Sequence, residues 1–185
     1  MTNLVFHLWL KLYNKCIKKK FNKMEGCIYR PHQLLGEKYI SIGKGTTIGK
    51  GVILTAWDKY RNQTFTPTIK IGNNTCIGEY AHITACNKII IGNNVLTGRR
   101  IYISDNSHGN LSPEEADIPP IERPLSTKGP VIIEDNVWIG ERVCILSGVH
   151  IGKSAIIAAN AVVTHNVPTG CIVGGVPAKI IKQIK

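Results

Sequence analysis

From Ile133 to Pro168 the chain repeats every six residues. Ile133, Ile139, Ile145, Ile151, Ile157 and Val163 open successive hexads. Four places after each comes a small apolar residue: Val137, Val143, Val149, Ala155, Ala161 and Val167. A period of six fits neither an α-helix (3.6) nor a plain strand (2.0). Self-similarity at a short fixed period marks a solenoid. Each hexad is then a short strand and a turn, with the aliphatic and the small residue pointing inward. Three hexads close one triangular coil, and coils stack through parallel hydrogen bonds. A β-branched residue suits the inward place because it packs well on a pleated surface. Gly and Asn suit the corners because they tolerate positive φ. An ordinary β-sandwich would need the same spacing by coincidence six times.

The same pattern extends upstream. Hexads begin at Ile42 and Ile48, and a third, at Leu54, breaks into an excursion over residues 55–68 that carries Trp57, Asp58, Tyr60 and Arg61. Such an interruption is either a functional device or tolerated decoration. The repeat resumes at Ile71, Ile77, Ile83 and Ile89, then slips by two residues to Ile91, Thr97 and Ile103. A second excursion, residues 104–130, is stiffened by Pro113, Pro119, Pro120, Pro124 and Pro130. The expected division is an N-terminal basic helix and connector over 1–38 and a β-helix over 39–185.

Residues 1–24 read as an amphipathic helix with Leu4, Val5, Leu8, Leu12 and Cys16 on one face and six lysines crowded into its second half. Two readings are open. The helix caps the exposed end of the solenoid or packs between subunits, or it lies on a membrane surface, and both can hold together. The formal net charge of +11 calls for an anionic ligand, surface or substrate. No acidic residue follows Glu141, whereas Arg142, Lys153, Lys179, Lys182 and Lys185 do, which predicts a positive C-terminal surface. The six cysteines form no C-x-x-C or zinc-finger spacing and read as reduced, mostly buried thiols of a cytoplasmic protein. Neither a transmembrane segment nor a secretory leader is expected.

The hexads, the stretch Asn136-Val-Trp-Ile-Gly140 and the later Gly174-Gly-Val-Pro-Ala178 resemble the hexapeptide-repeat acyltransferases, notably galactoside and maltose O-acetyltransferases. They resemble still more the acetyltransferases of bacterial surface polysaccharides. The resemblance covers residues 40 to 185. It implies an all-β fold, a left-handed parallel β-helix with an N-terminal helix and a short C-terminal tail. It also implies acetyl-CoA as co-substrate without a metal, a sugar or glycan acceptor, and a homotrimer whose donor groove lies between chains. Nucleic acid is not an expected partner.

Acyl transfer from a thioester to a hydroxyl needs a base, an oxyanion stabiliser and a means of holding both substrates together. His108 sits where a strand leaves the coil, in a turn rich in Gly and Asn. The resemblance makes it the general base. Asp105 either orients its ring or caps the turn. Related enzymes often carry a second histidine at the place of Asn106, so acceptor contacts there differ. His82, at the last place of its hexad, faces outward, either into the acceptor pocket or merely to solvent. Trp138, at the outward last place of its hexad, either lines the acyl pocket or merely packs. By the same resemblance the donor contacts follow. Glu141 and Ala159 offer backbone groups to the pantetheine arm, Thr164 and His165 flank the pyrophosphate, and Lys179 and Lys182 meet the phosphates as point charges.

Other readings keep the coil but change the chemistry. One is N-acetylation of an amino sugar on a nucleotide. Another is a metal hydratase of the γ-carbonic-anhydrase type, which needs a set of histidines from among His82, His108, His150 and His165. A third is a non-enzymatic solenoid, which needs a flat array of one residue type that this sequence lacks.

Overall fold

A computed structural model describes residues 3–110 and 112–183. Lys185 lies outside them. Short strands stack into three parallel sheets that form the faces of a prism. The first face runs Lys23–Met24, Ile40–Ile42, Thr68–Ile71, Lys88–Ile91, Val131–Ile133, His150–Ile151. The second runs Cys27–Ile28, Thr47–Ile48, Cys76–Ile77, Leu96–Thr97, Trp138–Ile139, Ile156–Ile157, Cys171–Gly174 and ends on the antiparallel Lys179–Gln183. The third runs Gln33–Leu35, Ile53–Ala56, His82–Ala85, Tyr102–Ser104, Cys144–Ile145, Val162–Val163. This is the left-handed parallel β-helix, an exception to the usual right-handed crossover.

The hexads set the register. Ile133 pairs with Ile151, Ile139 with Ile157 and Ile145 with Val163. All twelve inward hexad residues from Ile133 to Val167 are buried, and together they form one continuous core. Each buried Ile or Val contributes roughly 1.5–3 kcal/mol. The two-residue slip is absorbed by the strand Lys88–Ile91, in which Ile89 and Ile91 both point inward. The last coil is shorter than the period, because Val167 bridges back to Ile151.

The corners explain the Asn-rich turns. The backbone N–H groups of Lys44, Asn73 and Asn93 donate to the side-chain oxygens of Asn73, Asn93 and Asp135 on the next coil, at 2.9, 2.8 and 2.6 Å. Beside that ladder Asn74, Asn94 and Asn136 take positive φ, which Asn accepts more readily than most residues. Close stacking also fixes a glycine: a Cβ on Gly72 would fall 2.5 Å from the carbonyl oxygen of Gly92.

Three expectations are corrected. The β-helix begins at Lys23, ahead of residue 39, because Lys23–Met24, Cys27–Ile28 and Gln33–Leu35 form a first coil paired to the second. That coil packs Phe21, Met24 and Ile28 inward without the hexad spacing. Helix α1 (Asn3–Ile17) turns a different face to the protein: Phe6, Leu10, Tyr13, Asn14 and Ile17 are the covered or half-covered positions, while Leu4, Val5, Leu8 and Leu12 are exposed. Asn14 shows why. Its side-chain oxygen accepts the Ile28 N–H at 2.8 Å and its NH₂ donates to the Ile28 carbonyl at 3.0 Å, replacing the strand missing from the open end. The thiols are less buried than expected: Cys86 and Cys171 are buried, but Cys16 and Cys76 are exposed, Cys76 because it takes the outward place beside Ile77.

Candidate active site

Both excursions leave the third face, and they lock together above it. The first is a hairpin of Lys59–Tyr60 with Gln63–Thr64. The second contains a hairpin of Ser107–His108 with Leu125–Ser126 and two short 3-10 turns, Pro113–Glu115 and Pro120–Glu122. Gln63 joins them: its amide donates to the Leu125 carbonyl at 3.0 Å and accepts the Leu125 N–H at 2.7 Å. Arg61 Nε donates to the Ile121 carbonyl at 3.0 Å. Strand residues Thr55, Ala56 and Ser104 are buried in the coil itself, so the excursions begin after them.

Beneath the locked loops lies a cleft of about 700 Å³, within the size range of small-molecule sites. Its floor is the outward side of the third face. Ile53, His82 and Tyr102 are aligned there on successive coils, and the His82 and Tyr102 rings meet edge to face at 5.3 Å. Trp57, Thr84, Asn106, His108, Leu125 and Thr164 complete the lining. Burial holds the His82 imidazole below the usual histidine range, so it favours the neutral form.

His108 is exposed at this cleft. Its Nδ1 lies 3.3 Å from the Tyr60 hydroxyl, and the two rings are edge to face at 5.4 Å. The Tyr60 hydroxyl donates its one proton to the Ile121 carbonyl at 2.7 Å. It can therefore only accept from His108, which puts the proton of the neutral ring on Nδ1 and leaves the Nε2 lone pair free. That is the tautomer a general base needs. Tyr60 was visible in the sequence only as part of an interruption, and its partner is 48 residues away.

Asp105 does not orient the ring. It is fully buried, and its two carboxylate oxygens accept the backbone N–H groups of Cys86 and Asn87, both at 2.9 Å. The Asn106 side-chain amide donates to the same carboxylate at 2.9 Å. Asp105 thus closes the corner of the preceding coil, where the slip in the repeat leaves two N–H groups to satisfy. Burial, with the Asp105 carboxylate beside it, pushes the Cys86 thiol up to about 12.

The expected donor contacts do not gather around His108. Trp138 projects from the second face, 53% exposed, and is absent from the cleft lining. Glu141 lies in a separate cleft of about 830 Å³ with Lys50, Glu79 and Arg99. Ala159 stacks under Gly140 at the same corner. Lys179 and Lys182 are exposed on the terminal strand of the second face. Thr164 reaches the His108 cleft, and its hydroxyl is 2.8 Å from Nδ1 of His165. His150 stands apart on the first face, 2.8 Å from Glu134. Among the described residues no three His, Cys, Asp or Glu side chains come together as metal ligands would. One chain therefore carries the candidate base on one face and most expected donor contacts on another.

Comparison with known proteins fits this architecture. Residues 130–165 match the family model described as the hexapeptide repeat of succinyl-transferase. Over 157 residues the chain is 31% identical to WbbJ of Escherichia coli, whose name describes a lipopolysaccharide-biosynthesis O-acetyl transferase; the match covers 83% of this chain and 76% of that protein. Over 63 residues it is 57% identical to 2,3,4,5-tetrahydropyridine-2,6-dicarboxylate N-acetyltransferase of Staphylococcus aureus, covering 34% of this chain but only 26% of that longer protein. Among solved structures it is similar to a variant of AntD, an N-acyltransferase from Bacillus cereus in complex with dTDP-4-amino-4,6-dideoxyglucose and coenzyme A. That likeness has a TM-score of 0.75 at 21% identity and covers 94% of this chain and 89% of the other.

Proposed function

The chain belongs to the hexapeptide-repeat acyltransferases, and from that premise we propose that it transfers an acetyl group from acetyl-CoA to a sugar hydroxyl in the biosynthesis of a surface polysaccharide. The observation that carries this reading is His108, with its Nδ1–H directed to Tyr60 and its Nε2 free at a cleft able to take a sugar. Nε2 takes the hydroxyl proton as the new C–O bond forms, and returns it to the sulfur as the C–S bond breaks. Acetyl-CoA supplies the activated thioester carbonyl. His82, Tyr102 and Asn106 offer the acceptor an aromatic wall and polar groups.

The working unit is a cytoplasmic homotrimer. The split between faces favours this, because the third face of one chain would complete its site with the second face of a neighbour. Leu96 and Trp138, paired in register and both exposed, would then be covered. Glu141, Ala159, Thr164 and His165 would contact the pantetheine and pyrophosphate, and Lys179 and Lys182 the phosphates.

N-acylation of a nucleotide-linked amino sugar is the second reading, favoured by the likeness to AntD over nearly the whole chain. The test is incubation of the pure protein with acetyl-CoA and either neutral sugars or nucleotide-linked amino sugars, followed by thiol release and product mass. An alkali-labile ester on a neutral sugar is expected. An alkali-stable amide would move the assignment to the second reading, and thiol release with neither acceptor class would end both.

A further inference from the structure

Helix α1 is apolar on the side away from the protein as well as on the side that docks. Leu4, Val5, Leu8, Trp9 and Leu12 are all exposed, Leu4 by 79% and Leu8 by 59%. At 3.6 residues per turn these five fall within one arc of roughly 140°. Lys11 and Lys15 are exposed at the edge of that arc, and Lys18–Lys20 follow directly as one 3-10 turn. Residues 1–24 contain no Asp or Glu.

We infer that this outward face docks the protein onto an anionic lipid bilayer. Apolar side chains enter the acyl boundary while the lysine ammonium groups meet lipid phosphates. The 15-residue helix is about 22 Å long, too short to cross a hydrocarbon core of about 30 Å, so it lies in the surface plane. No helix among the described residues is long and apolar enough to cross a membrane.

Charge sets a second copy of the chain aside. Residues 1–24 carry six lysines and no Asp or Glu, so two such faces offer each other no opposite charge, whereas an anionic surface complements all of them. Docking would present the acetyl-transfer site to a glycan carried on a lipid. That consequence rests on the proposed function, whereas the docking does not.

The test is flotation of the full-length protein with phosphatidylglycerol-containing vesicles and with pure phosphatidylcholine vesicles, at low and high salt. It needs neither acetyl donor nor acceptor, so its outcome is separate from that of the transfer assay. Binding is expected to the anionic vesicles only and to weaken with salt. The double variant Leu8→Glu/Leu12→Glu should bind at least about tenfold more weakly, with unchanged thermal unfolding because both side chains are exposed. Failure of the wild type to float with anionic vesicles, or equal flotation of the double variant, would overturn the inference. So would a change of oligomeric state in the double variant by light scattering, which would assign the face to a second copy.

Discussion

Tyr60→Phe isolates one hydroxyl in the proposed mechanism. The ring stays, so its edge-to-face contact with His108 at 5.4 Å is retained and only the hydroxyl contacts to His108 Nδ1 and the Ile121 carbonyl are lost. Arg61 Nε still donates to that carbonyl, so stability should change by no more than about 0.5 kcal/mol. The effect on rate comes from His108. A neutral hydrogen bond contributes about 0.5–1.5 kcal/mol net. At 3.3 Å this one is longer than the usual N–H···O distance, which favours the lower half of that range. The expected fall in kcat is therefore about two- to fivefold, with KM for acetyl-CoA unchanged. The assay is steady-state thiol release with an acceptor sugar that the wild type acetylates, for wild type, Tyr60→Phe, His108→Ala and the double variant. If Tyr60 acts only through the imidazole, Tyr60→Phe should cost nothing further once His108 is alanine. An equal loss in both backgrounds would refute the positioning role, and so would wild-type kcat in Tyr60→Phe.

His108→Ala should lower kcat by about 10²–10⁴-fold with acetyl-CoA affinity intact; more than a tenth of wild-type turnover would remove it as the base. Alanine at both Lys179 and Lys182 should raise KM for acetyl-CoA far more than it lowers kcat, since phosphate contacts act alike on ground and transition states, and an unchanged KM would take both residues out of the donor site. Ile145→Asp should abolish soluble folding, because the side chain is fully buried among apolar neighbours; a cooperative melt in this variant would contradict the inward assignment. For His82, burial depresses the folded-state pKa below the unfolded value of about 6.5. The unfolded chain therefore binds more protons between those two values, and stability present above about pH 6.5 is lost as pH falls towards the folded pKa. Denaturant melts should show that loss to be smaller in His82→Gln, and an identical pH slope would show that His82 does not cause it.

The repeat itself was written in one dimension. Inward residues every six places announce a coil because every coil solves the same packing problem, and a local period needs no distant partner to be read. The register of Ile133 with Ile151 and Ile139 with Ile157 follows directly from that period. So does the presence of excursions, as places where the period stops. What the period could not announce is anything decided between segments that do not repeat. The first coil carries no such period, because Phe21, Met24 and Ile28 fill its interior without hexad spacing. The docked face of α1 follows Asn14 and not the leucines: its two hydrogen bonds to Ile28 satisfy the open end, which no apolar residue could do. Asp105 lies close to His108 in sequence, yet its buried carboxylate is drawn to Cys86 and Asn87 on the previous coil. Tyr60, 48 residues from His108, reaches it only because two loops leave the same face and lock over it. Sequence determined which residues go inside, since that depends on near neighbours. Tertiary structure decided which outward residues meet, since that depends on the order in which coils and loops stack.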